Sequence, residues 1–210
     1  MTMVKGGTMA AFIMLVMVWV LLIVSYSTYW YVVRAGSDDN YTLYSYNYKG
    51  VKKYSNPYYY GKFSVTNSYS QLYKHIYPNA IRLFQSSLSF VILAWIATSF
   101  TLFCMILNFF GILQKIPIVK YIVKFIPIII FFFCVLSVCI FAGYQNVKYS
   151  DCKKYYHQNA HQNCEKTPFF QSREAYYSRP GPAWFTTLAS AILSLAGVVI
   201  MFAGNALPID

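Results

Sequence analysis

Acidic residues are scarce in this chain, and their scarcity excludes several kinds of function. Of 210 residues, 6 are Asp or Glu and 17 are Lys or Arg. No long apolar run contains an Asp, Glu, Arg or His. Ion-coupled transporters and intramembrane enzymes bury such groups, because their chemistry needs a titratable or ion-coordinating centre. The chain also has no nucleophile motif and no Gly-rich phosphate loop. We therefore expect a protein that is not an enzyme and has neither a cofactor nor a small-molecule substrate.

Apolar runs are abundant instead. The composition is 58% hydrophobic and 11% charged, which is typical of a polytopic membrane protein. Four runs exceed the roughly 20 residues that cross a bilayer core, at about 9–33, 88–113, 118–144 and 183–206. We expect one four-span membrane domain over residues 1–210, with polar loops at 34–87 and 145–182. The bilayer is then its first partner, and the basic excess does not indicate nucleic-acid binding.

The fourth run contains small residues in pairs with a period of seven. They are Ala189, Ser190, Ala196, Gly197, Ala203 and Gly204. Small residues let membrane helices approach closely, and this period keeps them toward one neighbour in a left-handed bundle. The expected fold class is all-α transmembrane, a left-handed four-helix bundle with a small antiparallel β-sheet formed by the loops. The repeat fits packing within the monomer or against a second copy.

The first loop contains neither Cys nor Trp but is rich in Tyr. Residues 42–48 alternate with a period of two, as in a half-buried strand. Lys49-Gly50 supplies a turn, and residues 51–54 return as a partner strand. After a break, residues 58–66 predict a further strand with Gly61 as a bulge. The loop therefore predicts a small antiparallel sheet.

The tyrosines of this loop have two interpretations. Tyrosine is amphipathic and enriched at interfaces, which favours a partner-binding face made of Tyr44, Tyr46, Tyr48, Tyr58, Tyr59 and Tyr60. The alternative is that they pack the sheet onto the helices and the headgroup layer.

The second loop contains the two cysteines placed for chemistry, Cys152 and Cys164. In an oxidising compartment they form a disulfide that closes a short loop. The alternative is a zinc site in which His157 and His161 complete the ligand set, although this order and spacing match no common zinc finger.

The charge distribution does not decide on which side of the membrane the loops lie. Lys5, Lys115, Lys120 and Lys124 lie on the side of both termini, which leaves 13 of the 17 basic residues in the two loops. The loop cysteine pair and the glycosylation sequon at Asn40 favour exoplasmic loops. We expect both termini to be cytoplasmic in a multi-pass plasma-membrane glycoprotein.

These features together resemble the claudin and peripheral-myelin-protein-22 superfamily with its fungal Sur7-type relatives. The first loop, the short turn at 114–117, the second loop with a strand-like approach and the Gly/Ala-rich fourth run follow that topology. Arg82-Leu83-Phe84-Gln85-Ser86-Ser87 is similar to the family's Arg/Gln/small run before the second helix. The first loop lacks the family's Trp-Gly-Leu-Trp-Cys-Cys signature, so the resemblance implies the fold but not a junctional barrier.

The expected function is cell adhesion or lateral organisation of membrane proteins through the Tyr-rich face, with other membrane proteins or a second copy as partners. An accessory subunit of a larger membrane complex is the alternative. An oligomeric channel also stays open, because polar loop residues can line a pore.

Overall fold

The computed structural model describes residues 6–37, 40–56, 63–112, 117–157, 164, 166–173 and 176–203. It has four helices long and apolar enough to cross a membrane, and one small antiparallel sheet. This confirms the predicted four-helix bundle with a sheet. The left-handed sense of the bundle stays a prediction.

The chain forms six described helices. They are α1 (Gly6–Ser27), α2 (Gln71–Ile76), α3 (Pro78–Phe109), α4 (Pro117–Ala142), α5 (Tyr144–Tyr156) and α6 (Pro182–Ala203). The helices α3, α4 and α6 each begin at a proline, whose fixed φ suits the first helical position and whose missing N–H costs nothing there.

The helix bounds differ most from the sequence prediction in two places. The first span ends at Ser27 rather than at 33, because Tyr31 already belongs to a strand. The second begins at Pro78, ten residues before the expected start. Both differences arise where amphipathic residues flank an apolar run, since hydropathy marks the membrane core and not the helix end.

The sheet contains six described strands. They are β1 (Tyr31–Gly36), β2 (Tyr41–Tyr46), β3 (Gly50–Asn56), β4 (Phe63–Ser68), β5 (Gln171–Arg173) and β6 (Tyr176–Pro180). Their order is β4-β3-β2-β1-β6-β5, and all neighbours are antiparallel. The strand β1 thus joins the first-loop meander to the second-loop hairpin.

The predicted turn between β2 and β3 is confirmed. The Oδ1 atom of Asn47 accepts hydrogen bonds from the backbone N–H groups of Lys49 and Gly50, both at 2.9 Å. A short Asn side chain satisfies the turn locally in this way. The predicted bulge at Gly61 lies outside the described residues.

The helix α5 is a correction to the sequence prediction, which treated 145–182 as loop. Two of its four buried residues, Gln145 and Asp151, are polar. A helix that buries polar side chains has no apolar stripe, so hydrophobic periodicity could not detect it. The helix ends at His157, whose φ of 41° is left-handed.

The chain divides into two compact units. The span unit comprises Met1–Tyr26, Ser89–Ser137 and Thr186–Asp210, and the sheet unit comprises Ser27–Leu88 and Val138–Phe185. Within the span unit, Trp19 Nε1 donates to Ser99 Oγ at 2.9 Å, and the hydroxyls of Ser25 and Thr187 lie 2.6 Å apart. Such bonds link α1 to α3 and to α6 in a setting without competing water.

The buried stripe of α6 in the span unit differs from the predicted one. It consists of Thr187, Ser190, Ala191, Ser194, Gly197 and Met201. Of the predicted set, Ser190 and Gly197 are buried, Ala189 and Ala196 are half-buried, Ala203 is exposed, and Gly204 lies outside the described residues.

The prediction that a neighbouring helix approaches closely at Gly197 is wrong. A Cβ atom built on this residue meets no other atom within 4 Å, apart from the helix's own nearby backbone. The spacing of the buried positions instead follows the ordinary 3.6-residue helical period.

Candidate functional site

The strand register assigns every sheet residue to one of two faces. Directly opposite residues of antiparallel strands share a face, and consecutive residues alternate. Tyr31 lies opposite Tyr46 on one side and Pro180 on the other. Its ring centroid is 5.3 Å from that of Tyr144 and 5.7 Å from that of Phe169. We call the side of the sheet that carries Tyr31 the packed face.

The opposite side combines cationic and aromatic side chains, and we call it the Arg–Tyr face. Its large side chains are those of Val32, Arg34, Tyr41, Leu43, Lys52, Tyr54, Tyr177 and Arg179, and the small residues Gly36, Ser45 and Ser172 lie on the same side. Among the large side chains, Arg179 is exposed and the other seven are half-buried. The residues come from β1, β2, β3 and β6, so both loops contribute to one surface.

Cations and rings alternate across this face. The Arg34 guanidinium lies 4.3 Å from the ring centroid of Tyr41 and 5.9 Å from that of Tyr177. The Arg179 guanidinium lies 5.1 Å from the same Tyr177 ring. The rings of Tyr41 and Tyr54 are 6.2 Å apart. Cation–π contacts hold these side chains in place.

Two of the tyrosines predicted to bind partners, Tyr44 and Tyr46, do not lie on this face. They belong to the packed face. Burial raises the pKa of Tyr46, and the Lys148 ammonium lies 5.8 Å from its ring. For Tyr46 these contacts are the ones that the packing alternative expects, and a partner-binding role of the predicted tyrosines stays a prediction. Tyr48 is half-buried in the turn between β2 and β3. Tyr58, Tyr59 and Tyr60 lie outside the described residues.

Further phenols form a buried cluster beneath the packed face. The ring of Tyr73 lies 4.9 Å from that of Tyr69 and 4.8 Å from that of Tyr77. The hydroxyls of Tyr73 and Tyr144 are 3.3 Å apart, and Tyr69 donates to the Asn47 carbonyl at 2.5 Å. Burial raises the pKa of Tyr73 to about 12 and also raises the pKa of Tyr69 and Tyr144. These phenols therefore stay protonated at neutral pH and act as structural donors.

A second hydrogen-bond network connects β1 to the second loop. The Gln145 amide donates to the Tyr31 hydroxyl, which donates to the Phe169 carbonyl at 3.2 Å. The Thr167 hydroxyl donates to Gln145 Oε1 at 3.0 Å. Buried polar groups satisfied in this way fix a unique packing.

The predicted disulfide between Cys152 and Cys164 is confirmed, with the two Cα atoms 5.8 Å apart. Sulfur atoms joined in a disulfide cannot bind zinc as thiolates, so this bond contradicts the alternative of a zinc site at Cys152 and Cys164. His157 ends α5. His161 lies outside the described residues.

Asp151, next to the disulfide, caps another helix. Its carboxylate accepts from the backbone N–H groups of Asn79 at 2.8 Å and Ala80 at 2.9 Å, and from the Asn79 side-chain amide at 2.7 Å. These backbone donors belong to the first turn of α3, which has no intrahelical acceptors. A negative charge there also interacts favourably with the helix dipole. Sequence patterns missed this cap because it comes from a different helix.

Lys148 adjoins a small polar cavity of about 170 Å³. The lining residues are Tyr77, Gln145, Lys148, Tyr149, Cys152, Cys164, Thr167 and Tyr176. Burial lowers the pKa of Lys148, and its ammonium lies 5.7 Å from the ring of Tyr77. Together with the Tyr46 ring, this aromatic surrounding compensates part of the lysine's lost hydration.

Asn40 is exposed in the connection between β1 and β2. The position is accessible to a modifying enzyme, and its glycosylation stays a prediction.

No family model matches the chain, and no curated protein matches it. The four apolar helices and the antiparallel sheet are compatible with a four-span, claudin-like topology. Membership of that superfamily stays a prediction.

Proposed function

We propose that this multi-pass membrane protein is a non-enzymatic protein of the plasma membrane whose Arg–Tyr face mediates adhesion or lateral organisation of membrane partners. In this proposal both loops are exoplasmic and both termini are cytoplasmic. The observation that carries it is the continuous array of guanidinium groups and phenol rings on the side of the sheet opposite its packed core.

The residue types of the face support this proposal. Antiparallel sheets that pack on one side usually present a polar, solvated surface on the other. Here the second side presents Tyr and Arg, the residue types that dominate binding energy at interfaces. The cation–π contacts restrict these side chains before a partner arrives, which lowers the entropy lost on binding.

The loop charge supports a partner of opposite sign. The two loops contain 13 basic residues, and five of the six acidic residues, all except Asp210. Within the described part of the chain, the only carboxylate side chain is that of Asp151, which is 4% exposed and already bonded to α3. A net positive surface attracts and orients acidic partners.

Vesicle clustering tests the proposal. The full chain is reconstituted into vesicles with the loops outward, and clustering is compared with a variant that carries Tyr41→Ser and Tyr54→Ser. We expect clustering by the wild type and its loss in the variant, because the two phenols supply half-exposed area on the face.

Tyr155→Ser is the matched control, since Tyr155 is exposed on α5 away from the face. Equal clustering by all three proteins would refute adhesion through this surface. Purification in mild detergent provides the second arm. A stoichiometric heteromeric partner whose binding survives both Tyr substitutions would instead support the accessory-subunit alternative.

A further inference from the structure

We infer that the start of α4 and the end of α6 form a site for the phosphate headgroup of an anionic phospholipid, with Lys124 as its main cationic contact. Both helix ends belong to the span unit. The inference goes beyond the proposed function and does not depend on it, because the Arg–Tyr face belongs to the sheet unit.

Lys124 is the one charged side chain that the structure describes in the span unit. It is 7% exposed and lies within the apolar segment Ile122–Ala142. Its ammonium lies 4.9 Å from the ring centroid of Phe202, and no hydrogen bond or ion pair joins it to another described residue. A cation–π contact offsets only part of the lost hydration and leaves three N–H donors without an acceptor. Lys124 therefore favours a negatively charged acceptor.

The chain itself offers few groups that could supply this acceptor. Five of the six acidic residues belong to the two polar loops, and the sixth, Asp210, lies outside the described residues. An unpaired ammonium in apolar surroundings is costly. The counter-charge of Lys124 is therefore either Asp210 or a group from outside the chain.

The position of Lys124 along α4 matches the depth of lipid headgroups. The helix has 26 residues, so its length of about 39 Å exceeds the roughly 30 Å of the hydrocarbon core. Lys124 follows Pro117 by two helical turns, about 10 Å along the axis. Side chains in a helix tilt toward its N-terminus, and a long lysine extends further in that direction. The ammonium thus reaches toward the headgroup layer and away from the membrane core.

Two further features attract a phosphate to this place. The first N–H groups of α4, after Pro117, have no intrahelical acceptors and lie at the positive end of the helix dipole. Lys120 lies one turn before Lys124, on the same side of the helix by its i, i+4 spacing. Lysine binds phosphate groups as a point charge. The site therefore combines two lysines of one helix side with a helix N-terminus.

The neighbouring side chains select a lipid over a soluble phosphate. Ile122, Phe125 and Phe202 are exposed, and the rings of Phe125 and Phe202 lie 5.6 Å apart. Exposed apolar side chains of membrane-spanning helices contact lipid acyl chains. A phospholipid satisfies Lys124 with its phosphate and covers these side chains with its acyl chains, which a free phosphate cannot do. The positive amine of a zwitterionic headgroup is repelled by the lysines, so the site favours an anionic lipid.

The melting temperature of the full chain in lipid–detergent micelles tests this inference. Phosphatidylglycerol is titrated into micelles that contain phosphatidylcholine with the same acyl chains. A ligand that binds the folded state raises the melting temperature, and the lipid concentration at half of the rise gives an apparent affinity. We expect such a rise for the wild type. Lys124→Met should weaken the apparent affinity about tenfold or more, because it removes a charge-assisted contact, whereas Lys124→Arg should stay within about threefold.

Methionine at position 124 also separates binding from folding. It keeps an unbranched side chain of similar length and removes a buried charge, so in phosphatidylcholine alone the variant should melt no lower than the wild type. A melting temperature that falls equally with and without phosphatidylglycerol would show that Lys124 only stabilises the helix pair, and would overturn the inference.

Lys5→Gln is the matched control. Lys5 directly precedes α1, and the chain crosses the membrane twice between the start of α1 and the start of α4, so both starts lie at the same membrane face. We expect less than a threefold effect on the apparent affinity, since an exposed charge outside the site contributes little. Equal weakening by Lys5→Gln and Lys124→Met would reduce the effect to a general attraction of anionic lipids, and would overturn the inference.

Two further arms test the other possible occupants. Glycerol phosphate, the soluble part of the headgroup, should not compete at the concentration at which phosphatidylglycerol binds. Competition as strong as that of the lipid would assign the site to a soluble phosphate. Asp210→Asn should leave the apparent affinity unchanged within about threefold. A gain of about tenfold would instead identify Asp210 as the counter-charge of Lys124, and either result would overturn the inference.

Discussion

At the scale of single residues, Asp151, the one acidic residue within the described ranges, connects two helices of the sheet unit. It is the acceptor for three donors near the start of α3, and it precedes a disulfide cysteine. An acidic residue in a basic polar segment gives no sequence signal for such a role, because the donors lie 71 and 72 residues away.

Replacement of Asp151 by Ala should destabilise the protein by about 2–3 kcal/mol, since two backbone N–H groups lose their acceptor in a buried place. Asp151→Asn should lose less, because one amide oxygen remains. Thermal unfolding in detergent measures both, with Ser150→Ala at an exposed neighbouring position as the control. Equal melting temperatures for Asp151→Ala and Ser150→Ala would show that the cap contributes nothing.

The buried phenols predict how stability depends on alkaline pH. Among the described residues, burial raises the pKa of Tyr31, Tyr46, Tyr69, Tyr73, Tyr77 and Tyr144. A raised folded-state pKa means that the unfolded chain releases protons first. The stability contribution of these groups is therefore complete below about pH 10, the pKa of a free phenol, and declines above it.

For Tyr73 this decline should extend to about pH 12, its folded-state pKa. Tyrosinate absorbance during an alkaline titration should show a late set of phenols that ionises together with unfolding, monitored by near-ultraviolet circular dichroism. Ionisation of all phenols in a single phase near pH 10, before any loss of ellipticity, would contradict the buried cluster.

At the scale of elements, two glycines illustrate different constraints. Gly181 lies where β6 enters α6, and its N–H donates to the Trp30 carbonyl at 2.7 Å. A Cβ atom there would lie 2.1 Å from the Tyr29 carbonyl oxygen. Gly197, in the middle of α6, has open space at the same position.

We expect Gly181→Ala to destabilise the protein by roughly 1–3 kcal/mol or more, because the backbone of Tyr29, just before β1, must move. Gly197→Ala should stabilise by roughly 0.5–1 kcal/mol, since Ala favours a helix interior. Melting temperatures of both variants in one detergent give the test, with Val199→Leu at an exposed α6 position as the control. A lower melting temperature for Gly197→Ala would mean that another helix contacts this residue closely.

The same scale shows where sequence reasoning succeeds. Long apolar runs identify the four spans because the bilayer requires them, and the alternation around Tyr46 identifies β2 and β3. The disulfide was predictable from the loop cysteines alone. These features depend on local composition.

The rest depends on distant partners. Arg34 and Tyr177 lie opposite one another in the sheet, 143 residues apart in the chain, so no local pattern reveals their contact. Alternation alone also does not say which side of a strand is covered. Alternation therefore leaves both interpretations of Tyr46 open, whereas the packing of Tyr31 against Tyr144 puts it on the covered side.

At the scale of the whole molecule, several expectations depend on which side of the membrane the two loops occupy. We predict that an epitope tag inserted between Tyr48 and Lys49 is labelled on intact cells and that a tag after Asp210 is labelled only after permeabilisation. Lys49 is exposed in a turn, whereas Gly50 is buried, so the insertion falls between the paired residues of β2 and β3 and not within either strand. The reverse labelling pattern would contradict exoplasmic loops, glycosylation at Asn40 and adhesion together.

The position of β1 has a consequence for biosynthesis. Val32 must pair with Arg179, a residue made 147 positions later. At about 5–20 residues per second, the ribosome needs roughly 7–30 s to reach it. During that interval β1 can pair with β2, but its other edge exposes unsatisfied N–H and C=O groups next to apolar side chains. A nascent chain of this protein thus passes through a state in which one edge of β1 is unpaired. A chaperone can bind this edge, and a stalled chain can pair wrongly with a neighbouring chain through it.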